Sequence, residues 1–140
     1  RQISFFEFEK LVHNERKNGE LSSDQICEFW MKTQSESLGP HIELTEGYKY
    51  FWTYIPHFIH TPFYVYAYAF GDCLVNVLIQ LYDEGLPDFK NNYIELLKSG
   101  GSKHYSEVLR PFNIDLKNKD SWQKGLSMIS NLIDEFENSL

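Results

Sequence analysis

The sequence predicts an all-α fold. Apolar residues recur at helical spacing through most of the chain, and Gly, Pro and capping residues divide it into segments of helical length. No stretch, including the short YVYAY run, alternates apolar and polar residues for long enough to predict a strand. The clearest helical segment, about residues 121–138, would place on one face Trp122, Leu126, Ile129, Leu132, Ile133 and Phe136.

Local signals mark the ends of the first two predicted helices. The first helix is predicted over residues 1–18, with Gly19 as its C-cap. Ser22 is followed three residues later by Gln25, which resembles a capping box and predicts the start of a second helix. That helix should stop near Gly39.

A long helix is predicted from Thr61-Pro62 to about Glu84, because Thr is a favoured N-cap and Pro a favoured first helical residue. Two shorter helices are predicted to follow, over about residues 88–98 and 102–110.

Length and charge limit the classes of protein that this chain can belong to. Its 140 residues fit one domain, which we expect to be a single helical segment over residues 1–140. The 20 acidic and 13 basic residues give a formal net charge of −7, which excludes a general nucleic-acid binder. The longest apolar run is interrupted by Asp72, Asn76 and Gln80, so we expect no membrane span.

Cys27 and Cys73 lie far apart and lack the spacing of a metal or redox motif. They are predicted to be small buried residues in a reducing compartment, with a disulfide between them as the alternative. The chain starts at Arg1 without an initiator Met and already at helical periodicity. This start predicts a helix that is entered midway, as in a piece of a longer protein.

The stretch FWTYIPHFIHTPFYVYAYAFGDCLV is the candidate functional site, because it places histidines and tyrosines in an otherwise apolar sequence. On one continuous helix, His60, Tyr64 and Tyr68 would share a face. His57 would lie just before that helix, and Tyr66 would point to its opposite side. The shared face would present an imidazole and phenol hydroxyls, which are donors able to stabilise an oxyanion.

Two other interpretations fit the same residues. The aromatic side chains would be core residues whose hydroxyls bond nearby backbone groups, with the histidines as structural donors. Alternatively, His57 and His60 would be a metal pair, although no further His, Cys or carboxylate at helical ligand spacing completes such a site.

The run YIPHFIHTPFYVYAYAFGDCLV closely resembles the C-terminal part of oligoendopeptidase F-type enzymes, in the thimet-oligopeptidase-like family of zinc peptidases. RQISFFEFE resembles the family's helix that follows the metal-binding region. The resemblance continues through GELSSDQICEFW, LLKSGGS and PFNIDLKNKDSWQKGLSMISNLIDEFE, and so covers nearly the whole chain. It implies the C-terminal helical segment of a zincin-type peptidase.

The resemblance also implies a cytoplasmic zinc endopeptidase that hydrolyses short peptides in a channel between two mostly helical halves. In the family, two histidines of an HExxH helix and a downstream glutamate hold the zinc, and the Glu of that motif acts as general base. A His and Tyr pair from the aromatic segment binds the substrate backbone and the oxyanion. Carried onto this sequence, the predicted catalytic residues are His57, Tyr68 and Tyr64, and the predicted substrate-binding residues are His60 and Tyr66. Which histidine and which tyrosine face the zinc stays open at this point.

The sequence departs from the family because it contains no HExxH. None of its five histidines is followed by Glu and then by a second His at the required spacing. The chain is therefore expected to hold no zinc ligands, to be inactive alone, and to need an upstream metal-binding portion on the same or a companion chain. The alternatives are a free-standing helical peptide- or protein-binding module without catalysis, and an inactive pseudo-enzyme that regulates a related peptidase by association.

Overall fold

The computed structural model describes residues 1–140, which form helices and turns without a strand, so the predicted all-α fold is confirmed. The α-helices are α1 (Gln2–Glu15), α2 (Ser23–Leu38), α3 (His57–His60), α4 (Tyr66–Asp83), α5 (Phe89–Ser99), α6 (Tyr105–Val108) and α7 (Lys119–Asn138). Short 3-10 helices cover Arg16–Asn18, Glu46–Tyr54 and Arg110–Phe112. The chain divides into two compact units, Arg1–Phe70 and Gly71–Leu140. That residues 1–140 act as a single helical segment stays a prediction.

Aromatic rings form the core of the N-terminal unit. Phe5 and Phe8, which share one face of α1, lie 5.3 and 5.2 Å from the ring of Trp30 on α2, measured between ring centroids. Phe58 of α3 joins them at 5.0 Å from Phe8. Val65 belongs to the same core and is only 1% exposed. Helices α1, α2 and α3 are therefore held together by tightly packed rings.

A buried hydrogen-bond network joins the same elements. The Gln34 side chain donates from Nε2 to Ser4 Oγ at 3.2 Å and accepts at Oε1 from the Tyr48 hydroxyl at 3.3 Å. Trp30 donates from Nε1 to the Tyr48 carbonyl at 3.0 Å. Because a buried polar group without a partner costs about 1–3 kcal/mol, these bonds favour one packing arrangement of α1, α2 and the 3-10 helix Glu46–Tyr54.

The predicted capping box is present at the start of α2. Ser22 Oγ accepts from the Gln25 backbone N–H at 3.3 Å, and Gln25 Oε1 accepts from the Ser22 N–H at 2.9 Å. Helix α2 ends before Gly39, which has a φ of 75°, as the sequence predicted. The first helix is shorter than predicted, because α1 stops at Glu15 and the turn before Gly19 is 3-10.

The predicted helix start at Thr61-Pro62 is wrong. Helix α3 ends at His60, α4 begins only at Tyr66, and the intervening residues form a turn. Phe63 has a φ of 61°, a left-handed conformation that no residue inside a right-handed helix adopts. This backbone conformation interrupts the long helix that the Thr-Pro signal predicted.

The C-terminal unit is built around α4 and the segment after α5. Its buried core residues are Val77, Leu78, Leu81, Leu109, Phe112 and Ile114. Two helix starts differ from the predictions by a few residues. Helix α6 begins at Tyr105, where the His104 side chain accepts from the Ser106 N–H, and α7 begins at Lys119 with Asn118 as its N-cap.

None of the helices combines the length and apolarity that crossing a lipid bilayer requires. Cys27 and Cys73 are free thiols, and Cys27 is buried. Burial raises the pKa of the Cys73 thiol, and the Asp72 carboxylate adds a smaller effect in the same direction. The thiolate form of Cys73 is therefore disfavoured, which argues against a nucleophilic role.

Candidate functional site

His57, Tyr64 and Tyr68 form one side-chain cluster in the N-terminal unit, which we call the site cluster. The Tyr68 hydroxyl lies 3.2 Å from Nε2 of His57. The Tyr64 ring stacks on the His57 ring with centroids 6.0 Å apart and an interplanar angle of 4°. Tyr68 stands edge-on to both rings, at 5.8 Å from His57 and 6.1 Å from Tyr64. The imidazole and the two phenol rings thus form a triangle in which each ring contacts the other two.

Local structure explains how three residues spread over the sequence meet. His57 opens the short helix α3, Tyr64 lies in the turn after it, and Tyr68 lies in the first turn of α4. Between the tyrosines, Val65 is inserted in the aromatic core of the N-terminal unit. Its neighbours Tyr64 and Tyr66 are instead 52% and 51% exposed.

The structure brings together three of the five predicted site residues. His60 is exposed at the end of α3 and makes no side-chain hydrogen bond or ring contact. Tyr66 packs edge-on against Phe6 at 6.3 Å between centroids and lies outside the site cluster. The predicted helix face shared by His60 and Tyr68 is wrong, because the turn at Phe63 separates His60 from the helix that carries Tyr68.

The interpretation of these aromatics as core residues is not what the structure shows for the three tyrosines. Tyr64, Tyr66 and Tyr68 are each about half exposed, at 52%, 51% and 49%. The Tyr68 hydroxyl bonds a histidine and not the backbone. Phe58, from the same stretch, does pack into the core. Within this stretch, Phe58 and Val65 therefore pack in the core, whereas the three tyrosines are exposed.

A cavity of about 270 Å³ adjoins the site cluster. His57 and Tyr68 line it, together with Arg1, Gln2, Phe5, Tyr54, Ile55, Pro56 and Val65. The side-chain oxygen Oε1 of Gln2 is buried and has no hydrogen-bond partner. Because that oxygen is buried from solvent, Gln2 contributes to the wall of the cavity and offers no exposed acceptor to a bound molecule. Sequence reasoning missed Gln2, because a glutamine near the start of a helix belongs to no motif.

The hydrogen-bond roles of His57 and Tyr68 depend on the imidazole tautomer. If Nε2 is unprotonated, the Tyr68 hydroxyl donates to it. If Nε2 carries the proton, it donates to the phenol oxygen, and the hydroxyl hydrogen of Tyr68 is then available to another acceptor. The pair can therefore present a donor toward solvent or toward a ligand.

A zinc ion, which the resemblance implies, does not fit the residues of this chain. Nowhere in residues 1–140 do three His, Cys, Asp or Glu side chains lie close enough together to hold a metal ion. His57 and His60 therefore have no third ligand that would make them a metal site.

One protein family and several individual proteins are similar in sequence to this chain. The sequence profile described as peptidase family M3 matches residues 1–128. The chain belongs to peptidase family M3. This confirms the resemblance to oligoendopeptidase F-type enzymes, and the chain corresponds to a C-terminal part of its M3 relatives.

Three M3 relatives illustrate the similarity. Oligopeptidase PepF of Bacillus subtilis is 30% identical over 142 residues, covering 100% of this chain and 21% of the relative. An oligoendopeptidase F homolog of Borreliella burgdorferi is 30% identical over 138 residues, covering 98% and 23%. Group B oligopeptidase PepB of Streptococcus agalactiae is 28% identical over 139 residues, covering 99% and 23%. The chain thus spans between a fifth and a quarter of the length of these relatives. No solved structure matches it.

Proposed function

We propose that this chain is the C-terminal part of a zinc oligoendopeptidase that hydrolyses short peptides, and that its site cluster binds the substrate backbone and stabilises the oxyanion. The observation that carries the proposal is the 3.2 Å pair between His57 Nε2 and the Tyr68 hydroxyl, beside a cavity, in a chain of peptidase family M3. The relatives named oligopeptidase or oligoendopeptidase support the substrate class.

The chemistry of the site cluster follows from its donors. Attack of water on a peptide carbonyl turns the carbonyl oxygen into an oxyanion, which a preorganised hydroxyl stabilises more strongly than it stabilises the neutral carbonyl. With Nε2 of His57 donating to its oxygen, Tyr68 would direct its hydroxyl hydrogen to the substrate. Tyr64, stacked on the imidazole with an interplanar angle of 4°, would hold the ring in place and offer a second hydroxyl.

His60 and Tyr66 have subsidiary places in the proposal. Both are exposed, so both are accessible to a peptide outside the site cluster. Tyr66 is steadied by its edge-on contact with Phe6. We assign them to binding of substrate residues away from the bond that is cut.

The zinc and the general base belong, in this proposal, to an upstream metal-binding portion on the same or a companion chain, acting in the cytoplasm. When bound there, the zinc would supply the polarised water for hydrolysis. The residues of the present chain would bind the peptide, orient it and donate hydrogen bonds.

The test is Tyr68→Phe in the full gene product, assayed with a fluorogenic peptide. Loss of one oxyanion donor should lower kcat by about 100-fold or more while KM changes little. Tyr82→Phe is the matched control, because Tyr82 lies on the same helix, is 51% exposed and is not in the site cluster. An unchanged kcat for Tyr68→Phe would contradict the role of Tyr68 and redirect the search to Tyr64 or Tyr66.

A further inference from the structure

Glu9 is the most deeply buried carboxylate of the N-terminal unit and lies on α1, outside the site cluster. It is 2% exposed, and it forms no ion pair with a lysine, arginine or histidine. Its oxygen Oε2 is buried without a hydrogen-bond partner. Burial of a carboxylate with so few partners is unfavourable, so a residue of this kind calls for a specific role.

The one hydrogen bond that Glu9 makes explains its position. Its Oε1 accepts from the backbone N–H of Phe63 at 2.7 Å, across 54 residues of sequence. Phe63 is the residue with a φ of 61° in the turn between α3 and α4. A bulky residue in this left-handed conformation is strained and persists only where its surroundings impose it. Glu9 supplies a short, charge-assisted bond at the strained residue itself.

Two neighbours of Glu9 on α1 hold the same turn. The His13 ring packs on the Phe63 ring with centroids 4.6 Å apart. Phe6 packs edge-on against Tyr66, the first residue of α4. Phe6, Glu9 and His13 are spaced by three and four residues and therefore share one face of α1. One face of α1 therefore contacts Phe63 of the turn through the His13 ring and the Glu9 carboxylate. The same face contacts the first residue of α4 through the Phe6 ring.

The turn determines the geometry of the site cluster. His57 lies on the helix before it, Tyr64 lies within it and Tyr68 lies on the helix after it. The distance between Nε2 of His57 and the Tyr68 hydroxyl therefore depends on the backbone conformation at Phe63. We infer that Glu9 is a positioning residue. By fixing the Phe63 backbone, it maintains the distance between His57 and Tyr68 in the site cluster, and it does not contact the substrate. This inference rests on the proposed function for its importance in catalysis, but its geometry can be tested without any peptide.

The test compares Glu9→Gln and Glu9→Ala with the unchanged chain by NMR, with Glu7→Gln as control. Glu7 is on the same helix but pairs only with Lys10 at the surface. Glu9→Gln keeps the size and one acceptor oxygen, and it exchanges a charged acceptor for a neutral one. The amide of Phe63 should then exchange with solvent about tenfold faster relative to core amides, because charge-assisted hydrogen bonds are roughly twice as strong as neutral ones.

A second readout separates positioning from general stability. In Glu9→Ala, the ring ¹⁵N signal of His57 should move to the value found in Tyr68→Phe, while the core amides of α2 keep their shifts. In Glu7→Gln, both the Phe63 amide and the His57 ring should be unchanged. If Glu9→Ala does not fold, Glu9→Gln decides the question. Unchanged Phe63 exchange in a folded Glu9→Gln, or an unmoved His57 signal in a folded Glu9→Ala, would overturn the inference whether or not the proposed function holds.

Discussion

Gly125 of α7 lies so close to the Cys73 carbonyl of α4 that a Cβ atom at position 125 would stand 2.7 Å from that oxygen. The same atom would stand 3.0 Å from a methyl group of Val77 and 3.3 Å from the Val77 nitrogen. Two of these three neighbours are backbone atoms inside a helix, which cannot move aside independently. The missing side chain at Gly125 is what lets these helices touch.

We expect Gly125→Ala to destabilise the protein by about 1–3 kcal/mol, because overpacking at this contact outweighs the helix propensity gained, about 1 kcal/mol. Urea unfolding followed by circular dichroism measures the change. Gly71→Ala in α4 is the matched control, since nothing lies within 4 Å of a Cβ atom there. It should raise stability by about 0.4–1 kcal/mol. A Gly125→Ala protein as stable as the original would show that the helices are not in contact at this point.

The capping box at the start of α2 gives a second prediction. Ser22→Ala removes the acceptor for the Gln25 N–H and should lower the free energy of unfolding by about 1 kcal/mol. Ser23→Ala, one residue later, removes a hydroxyl that makes no hydrogen bond and should have little effect. Thermal unfolding of both variants measures the difference. Equal midpoints for the two would contradict a role for the cap.

The ion pair between Glu84 and Lys124, 2.7 Å apart, gives a prediction about pH. The hydrogen bond from Lys124 lowers the pKa of the Glu84 carboxyl below its ordinary value of 4.5, and one from Gln80 adds to this. A carboxyl whose pKa is lower in the folded state stabilises the protein above its unfolded pKa, and this stabilisation disappears as the pH falls through the folded pKa.

Glu84→Gln should therefore be less stable than the unchanged protein at pH 7, with the difference shrinking as the pH is lowered below 4.5. Because both side chains are largely exposed, the effect should be small and should decrease in high salt. Urea unfolding at a series of pH values measures it. A difference that grows toward acid pH would rule out the assigned direction.

The chain on its own should bind no stoichiometric zinc and cleave no peptide. It contains no HExxH and no group of three side chains that could share a metal ion. Metal analysis by mass spectrometry after dialysis against zinc, with a fluorogenic peptide assay on the same sample, tests both statements. Zinc bound at one ion per chain, or turnover by a metal-free preparation, would show that this segment has chemistry of its own.

Features set by neighbouring residues were predictable from the sequence. The capping box depends on Ser22 and Gln25, which are three residues apart, and its geometry needs nothing beyond one helical turn. The absence of strands and the amphipathic last helix follow in the same way from local periodicity. The start of α4 was different, because the left-handed Phe63 and the buried Val65 are fixed by contacts with the distant helix α1.

The candidate site likewise combines features that could be predicted from the sequence with features that could not. The resemblance to oligoendopeptidase F-type enzymes gave His57, Tyr64 and Tyr68 as the catalytic candidates, and the structure places these three side chains together. Helical facing alone would have paired His60 with the tyrosines, because a sequence gives no sign that the helix is interrupted between them. Gln2 and Glu9 belong to no motif, and only their burial without full hydrogen bonding reveals them.

The long span of the bond between Glu9 and Phe63 has a consequence for the order of folding. The contact between His57 and Tyr68 closes 11 residues of chain, whereas the bond that anchors the turn closes 54. The entropic free-energy cost of closing the 54-residue loop exceeds that of the 11-residue loop by about 1.4 kcal/mol. We therefore expect the imidazole and the phenol to meet transiently in a chain that is still collapsing, and to keep a fixed geometry only after α1 has docked. During synthesis on a ribosome, α1 emerges before α3 and α4, so it cannot bind the turn between them until that segment has also been synthesised.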